Sequence, residues 1–168
     1  MALPGVFQLA HVTTSLDRAK VDMGGLLGIT DWLEMRDHAA TVKGGARAQI
    51  HVALAWKGDL MIELIEPLGG ADAIYRDTLD EGSRGEGAGY RTRPHHLGRM
   101  FETAEAFEAA MVPLRAAGVA FPIEGDLVDT KGKCLINYAD LRGQLGYYIE
   151  NLMFTPEGRG WLDTVPRN

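Results

Sequence analysis

Four residues of this chain have the types and the spacing to hold a metal ion: His11, Glu63, His96 and Glu150. Two neutral imidazoles and two carboxylates offer mixed nitrogen and oxygen donors to a divalent cation, with room left for water or substrate. Carboxylates side by side in a half-buried cleft repel one another unless a cation joins them. The four fall into two pairs. Glu63 follows His11 by 52 positions and Glu150 follows His96 by 54, so the histidines are 85 apart and the glutamates 87. Asp17 and Ala19 follow His11 by six and eight, as Glu102 and Ala104 follow His96. Each half of the chain thus offers one histidine on its first strand and one glutamate on its last.

Positioning these side chains takes two units of the same kind. Residues 6–12 read as a strand, and Thr13, Thr14, Ser15 and Asp17 offer caps for a helix over 19–27 that ends at Gly28. Residues 32–35 read as extended and 37–45 as a loop. Residues 49–56 alternate, with Ile50, Val52, Leu54 and Trp56 on one face and Gln49, His51, Ala53 and Ala55 on the other. A turn at 57–59 leads into a partner strand over 60–67. The middle, 68–94, holds a short helix at 73–79 and a glycine-rich, charged loop at 81–89 that serves as a linker or a lid. Arg84, Arg91 and Arg93 lie in that loop or at its exit, as solvated charges or as an anion site. The second half starts a strand at His96 and a helix over 104–117 capped by Thr103. Pro113 predicts a kink or an early stop in that helix. Strands follow at 119–121, 133–138 and 146–152.

Parity sets the faces. Met61, Glu63 and Ile65 share one side of their strand, and Tyr148, Glu150 and Leu152 share one side of theirs. Tyr148 therefore lies on the side of Glu150, as a substrate contact or a core residue. Adjacent His95 and His96 should point to opposite faces, so only one can look into a cleft. Curved sheets from the two halves, meeting face to face, would bring the four ligands together. The expected architecture is α+β: two tandem βαβββ modules, 6–67 and 95–154, forming an open, cleft-shaped mixed barrel. Residues 68–94 link them and 155–168 form a tail.

Composition narrows the function classes. The 168 residues are 46% apolar, enough for one sizeable core, and the net charge of −6 argues against nucleic acid as a partner. The lone Cys134 excludes an internal disulfide and fits a reducing, cytoplasmic setting. Neither a signal peptide nor an apolar run of roughly 18 residues for a membrane span is evident.

From Gln8-Leu9-Ala10-His11-Val12 to Gly146-Tyr147-Tyr148-Ile149-Glu150, the chain resembles the vicinal oxygen chelate superfamily, which includes glyoxalase I, methylmalonyl-CoA epimerase and extradiol dioxygenases. Glu63-Leu64-Ile65-Glu66-Pro67 and His95-His96-Leu97-Gly98 are most similar to the glyoxalase and epimerase branch. The resemblance implies two βαβββ modules around one divalent metal ion (Zn, Ni, Co, Mn, Mg or Fe), His96 rather than His95 as the ligand, and a homodimer. It further implies a metal-stabilised enediolate or enolate of a small carbonyl or thioester substrate. Glu63, Glu150 or His51 would move a proton next to the carbonyl. The epimerases keep a glutamate base on the strand that corresponds to 49–55, where only Gln49 and His51 could stand in. Arg91, with Arg84 and Arg93, is the local cation cluster available to the phosphates of a CoA thioester. An isomerase, epimerase or lyase is the reading favoured. A ring-cleaving dioxygenase needs open metal positions that a fourth ligand, Glu63, would close. A non-catalytic resistance binder would have no use for four ligands.

Overall fold

A computed structural model describes residues 5–42, 44–80, 89–127 and 130–168. The first half supplies β1 (Val6–Thr13), α1 (Leu16–Leu27), β2 (Leu33–Thr41), β3 (Arg47–Lys57) and β4 (Leu60–Gly70). A short helix, α2 (Ala73–Asp80), precedes the second half: β5 (Thr92–Met100), α3 (Ala104–Ala116), β6 (Ile123–Gly125), β7 (Cys134–Asp140), α4 (Arg142–Leu145) and β8 (Tyr148–Phe154). The last helix is α5 (Pro156–Leu162). The expected 81–89 loop and Arg84 fall almost entirely outside the described residues.

The eight strands form one curled, open sheet in the order β2-β3-β4-β1-β5-β8-β7-β6. Within each half the first strand runs parallel to the last, β1 with β4 and β5 with β8. The halves join through β1 and β5, which pair antiparallel. They therefore meet edge to edge in one sheet, not face to face, and the pairing of β1 with β5 covers one open edge of each half.

Alternation along β3 and β4 sorts the core onto two sides. Val52, Leu54, Trp56, Met61 and Ile65 are buried on the concave side. On the convex side Ala53 and Leu64 pack beneath α1 against Leu16 and Ala19, while Ile149 and Met153 pack beneath α3 against Phe107 and Met111. Ser15 accepts from the Arg18 N–H and begins α1 at Leu16, three residues earlier than the pattern suggested; Gly28, at φ +67°, ends it. Thr103 caps α3 in the same way.

Three local expectations change. β2 continues through 37–41 as a strand, because pairing with β3 (His38↔Ile50, Ala39↔Gln49) outweighs its polar composition. α3 continues past Pro113 to Ala116: Leu114 packs on the convex cluster and the Ala117 N–H reaches the Pro113 carbonyl. The strand expected at 119–121 forms instead at Ile123–Gly125, paired with β7. Among the described residues no helix is long and apolar enough to cross a membrane.

Candidate metal centre

Two adjacent rows of the sheet build the site. In one row, Ala10 of β1 lies between Glu63 of β4 and His96 of β5, with Tyr148 of β8 next. In the other, Gly98 of β5 lies between Gln8 of β1 and Glu150 of β8, with Tyr138 of β7 next. The two smallest side chains, Ala10 and Gly98, leave a hollow that four polar side chains fill. The fit is close: a Cβ added at Gly98 would come within 2.5 Å of Gln8 Oε1 and 2.7 Å of Gln8 Cβ.

Inside the hollow, Gln8 Nε2 donates to Glu63 Oε2 at 2.8 Å. His96 Nε2 stands 3.1 Å from Glu63 Oε2 and 3.3 Å from Glu150 Oε2. One donor atom each from Glu63, His96 and Glu150 lies within 4.8 Å of the others. Gln8, His96 and Glu150 are buried, at 4%, 1% and 6% exposure. His96 Nε2 and Glu150 Oε2 are left without a hydrogen-bond partner. Burial raises the Glu63 carboxyl and so does Glu150, while His96 opposes both. Burial lowers the His96 imidazole, but the two carboxylates outweigh it and lift it to about 9. A nitrogen donor, two carboxylates and an amide that can turn its oxygen inward suit a divalent ion, and the orphaned Nε2 and Oε2 atoms are where it would bind.

His11, expected among the ligands, is not in this cluster. Along β1 it alternates with Ala10, so it takes the other face, beside Leu64 and Pro94. Burial lowers its pKa, and the charge of His96 lowers it further. Gln8 occupies the place expected for it. A sharper repeat pointed there. Glu63 follows Gln8 by 55 positions and Glu150 follows His96 by 54, and the helix caps Ser15 and Thr103 each come seven residues after Gln8 and His96.

His95 also departs from expectation. The β1–β5 register steps from Ala10↔His96 to His11↔Pro94, which leaves His95 as the extra residue of a bulge. Strict alternation fails there, and His95 turns inward at 1% exposure with its Nδ1 2.8 Å from His96 Nδ1. Tyr148 is buried beside the pair, its ring centroid 5.0 Å from that of His95, with the Arg142 guanidinium over the Tyr148 ring at 4.6 Å from its centroid. Tyr75 and Tyr138, unremarked by any motif, are buried close enough for both carboxylates to raise their hydroxyls further after burial itself.

The remaining expected site residues lie elsewhere. His51 is on the convex side of β3, where its Nδ1 accepts from the Asp37 N–H at 3.0 Å, and Gln49 is exposed beside Ala39. The concave residues of β3 are apolar, so that strand brings no acid or base to the hollow. Arg91 pairs with Asp80 at 3.8 Å, at the end of α2.

A family model described as the glyoxalase/bleomycin resistance protein/dioxygenase superfamily matches residues 7–138. The chain belongs to that superfamily. Among solved structures, a methylmalonyl-CoA epimerase superposes with a TM-score of 0.54 at 16% identity, covering 89% of this chain and 94% of that one. The epimerase from Mycobacterium tuberculosis gives 0.52 at 18%, covering 95% and 96%. An epimerase in complex with methylmalonyl-CoA and ammonium gives 0.52 at 15%, covering 92% and 97%. At such identities the likeness is one of fold. No curated protein matches the chain.

Proposed function

We propose that this superfamily member is a metal-dependent isomerase, epimerase or lyase that moves a proton next to the carbonyl of a small ketone, aldehyde or thioester. The observation that carries the reading is the ring of Gln8, Glu63, His96 and Glu150 around the hollow over Ala10 and Gly98. These four would hold one divalent ion, and that ion would supply a Lewis acid against the charge that develops on the substrate oxygen.

The chain's own groups do the rest. β3 lines the concave side with Val52, Leu54 and Trp56, so proton transfer falls to a carboxylate of the ring itself. Glu63 is suited to it: burial raises its carboxyl above the ordinary carboxylate value, which makes it a stronger base, and it faces the hollow. Gln8 holds the same carboxylate by one hydrogen bond and can release it by turning its amide. Apolar walls exclude water and strengthen every charge interaction inside. A thioester is one candidate substrate, since a protein of this fold is solved with methylmalonyl-CoA.

The test is exchange of the substrate hydrogen with deuterated solvent, followed by NMR for methylmalonyl-CoA and for a glutathione hemithioacetal. Metal-loaded protein should exchange at least one of them, and Glu63→Gln should slow that exchange roughly 100-fold or more. Undiminished exchange in Glu63→Gln would move the base to another residue.

A further inference from the structure

We propose that His95 is a positioning residue that accepts a hydrogen bond from His96 Nδ1 and so holds the His96 ring with its Nε2 turned toward Glu63 and Glu150. The proposal rests on the reading of the hollow as a metal centre.

His95 Nε2 lies 3.0 Å from the carbonyl oxygen of Ile74 in α2. A carbonyl oxygen only accepts, so this nitrogen must carry a hydrogen. At the other side of the ring, His95 Nδ1 lies 2.8 Å from His96 Nδ1, and one of the two must donate. Were His95 the donor, it would hold hydrogens on both nitrogens and be a cation. It would then sit buried among the rings of Tyr75, Tyr148 and Tyr138, at centroid distances of 5.2, 5.0 and 6.1 Å. Among the described residues no carboxylate pairs with it, and a buried unpaired cation is costly.

His95 Nδ1 is therefore the acceptor and His96 Nδ1 the donor. The chain of bonds runs from the Ile74 carbonyl through His95 to His96, and ends at the His96 Nε2 that faces the two carboxylates. Metal-binding histidines ordinarily direct their second nitrogen to a carboxylate, a carbonyl or water; here another imidazole takes that part. The β-bulge is what permits it, because it turns both imidazoles to the same side of β5. The relay ends on the backbone of α2, so that helix and the ligand nitrogen are joined.

The direct test is long-range proton–nitrogen NMR correlation on protein labelled with 15N at histidine, recorded without metal and with zinc. His95 should show a protonated Nε2 and a bare Nδ1 in both states, and His96 a protonated Nδ1 in both. In the zinc form the His96 Nε2 resonance should move to a metal-bound position. A protonated His95 Nδ1, or a bare His96 Nδ1, overturns the proposal. A second arm measures zinc affinity by competition with a chromophoric chelator. His95→Gln offers an acceptor and a donor at similar separation and should bind zinc within about threefold of the parent, whereas His95→Phe should lose roughly 10- to 100-fold. Equal affinity in His95→Phe also overturns it. If the parent protein binds none of zinc, nickel, cobalt or manganese, the metal reading fails, and the spectra of the metal-free protein still decide which of the two rings donates.

Discussion

Ala10 and Gly98 are the residues that leave the hollow, and Gln8, Glu63, His96 and Glu150 are the residues that fill it. A site of this kind can be taken apart one side chain at a time. Gln8→Ala should weaken divalent-metal binding by at least the roughly 10-fold that loss of a supporting group costs, whereas His11→Ala should change it little, as read by isothermal titration. Equal losses for the two would place His11 back among the ligands. Cys134 supplies a prediction at a residue outside the ring of four. Burial first, and the charge of Glu150 next, push its thiol up to about 11. The thiolate is the reactive form, so a raised pKa means less of it at any pH below that value. Alkylation by iodoacetamide at pH 8 should run roughly a hundredfold slower than for free cysteine and accelerate as pH rises toward 11. Glu63, His96 and Glu150 were legible as candidate ligands because chemically demanding residues recur at matched spacing. Gln8 was not, because glutamine carries no such signal and a histidine three residues later competes for attention. The inward turn of His95 was hidden for a different reason: alternation assigns faces only while the register holds.

At the scale of elements, the register of β1 against β5 controls the site. Gly98 lies opposite Gln8, and a Cβ there would press on the Cβ and Oε1 atoms of Gln8 at 2.7 and 2.5 Å. Gly98→Ala should therefore cost about 1–3 kcal/mol of stability by urea denaturation and weaken metal binding as well, since Gln8 must move. An unchanged midpoint would show that the strand pair yields without cost. The helices were legible because Ser15 and Thr103 cap them and Gly28 ends one of them, all local chemistry. The extension of β2, the displaced β6 and the bulge at His95 were not. Each depends on a strand paired from elsewhere in the chain, and pairing energy is absent from local composition.

At the scale of the molecule, the two halves are pseudo-symmetric and neither holds the site alone. The first contributes Gln8 and Glu63, the second His96 and Glu150, and the seam between β1 and β5 runs through the middle. Residues 166–168 pair alongside the end of β3: the Trp56 N–H donates to the Pro166 carbonyl at 2.8 Å, and the Asn168 N–H to the Trp56 carbonyl at 3.0 Å. That the halves repeat was visible in the sequence. That they join edge to edge was not, because no residue pattern marks which strand edges will meet. The measurement that bears most directly on this account is the stoichiometry of divalent metal in purified protein, wild type beside His96→Ala, after loading with zinc, nickel, cobalt or manganese and removal of the excess. One ion per chain is expected for the wild type with at least one of these metals, and none for a His96→Ala protein that keeps its fold by circular dichroism. Full occupancy in His96→Ala, or no retained metal in the wild type under any supply, would contradict it.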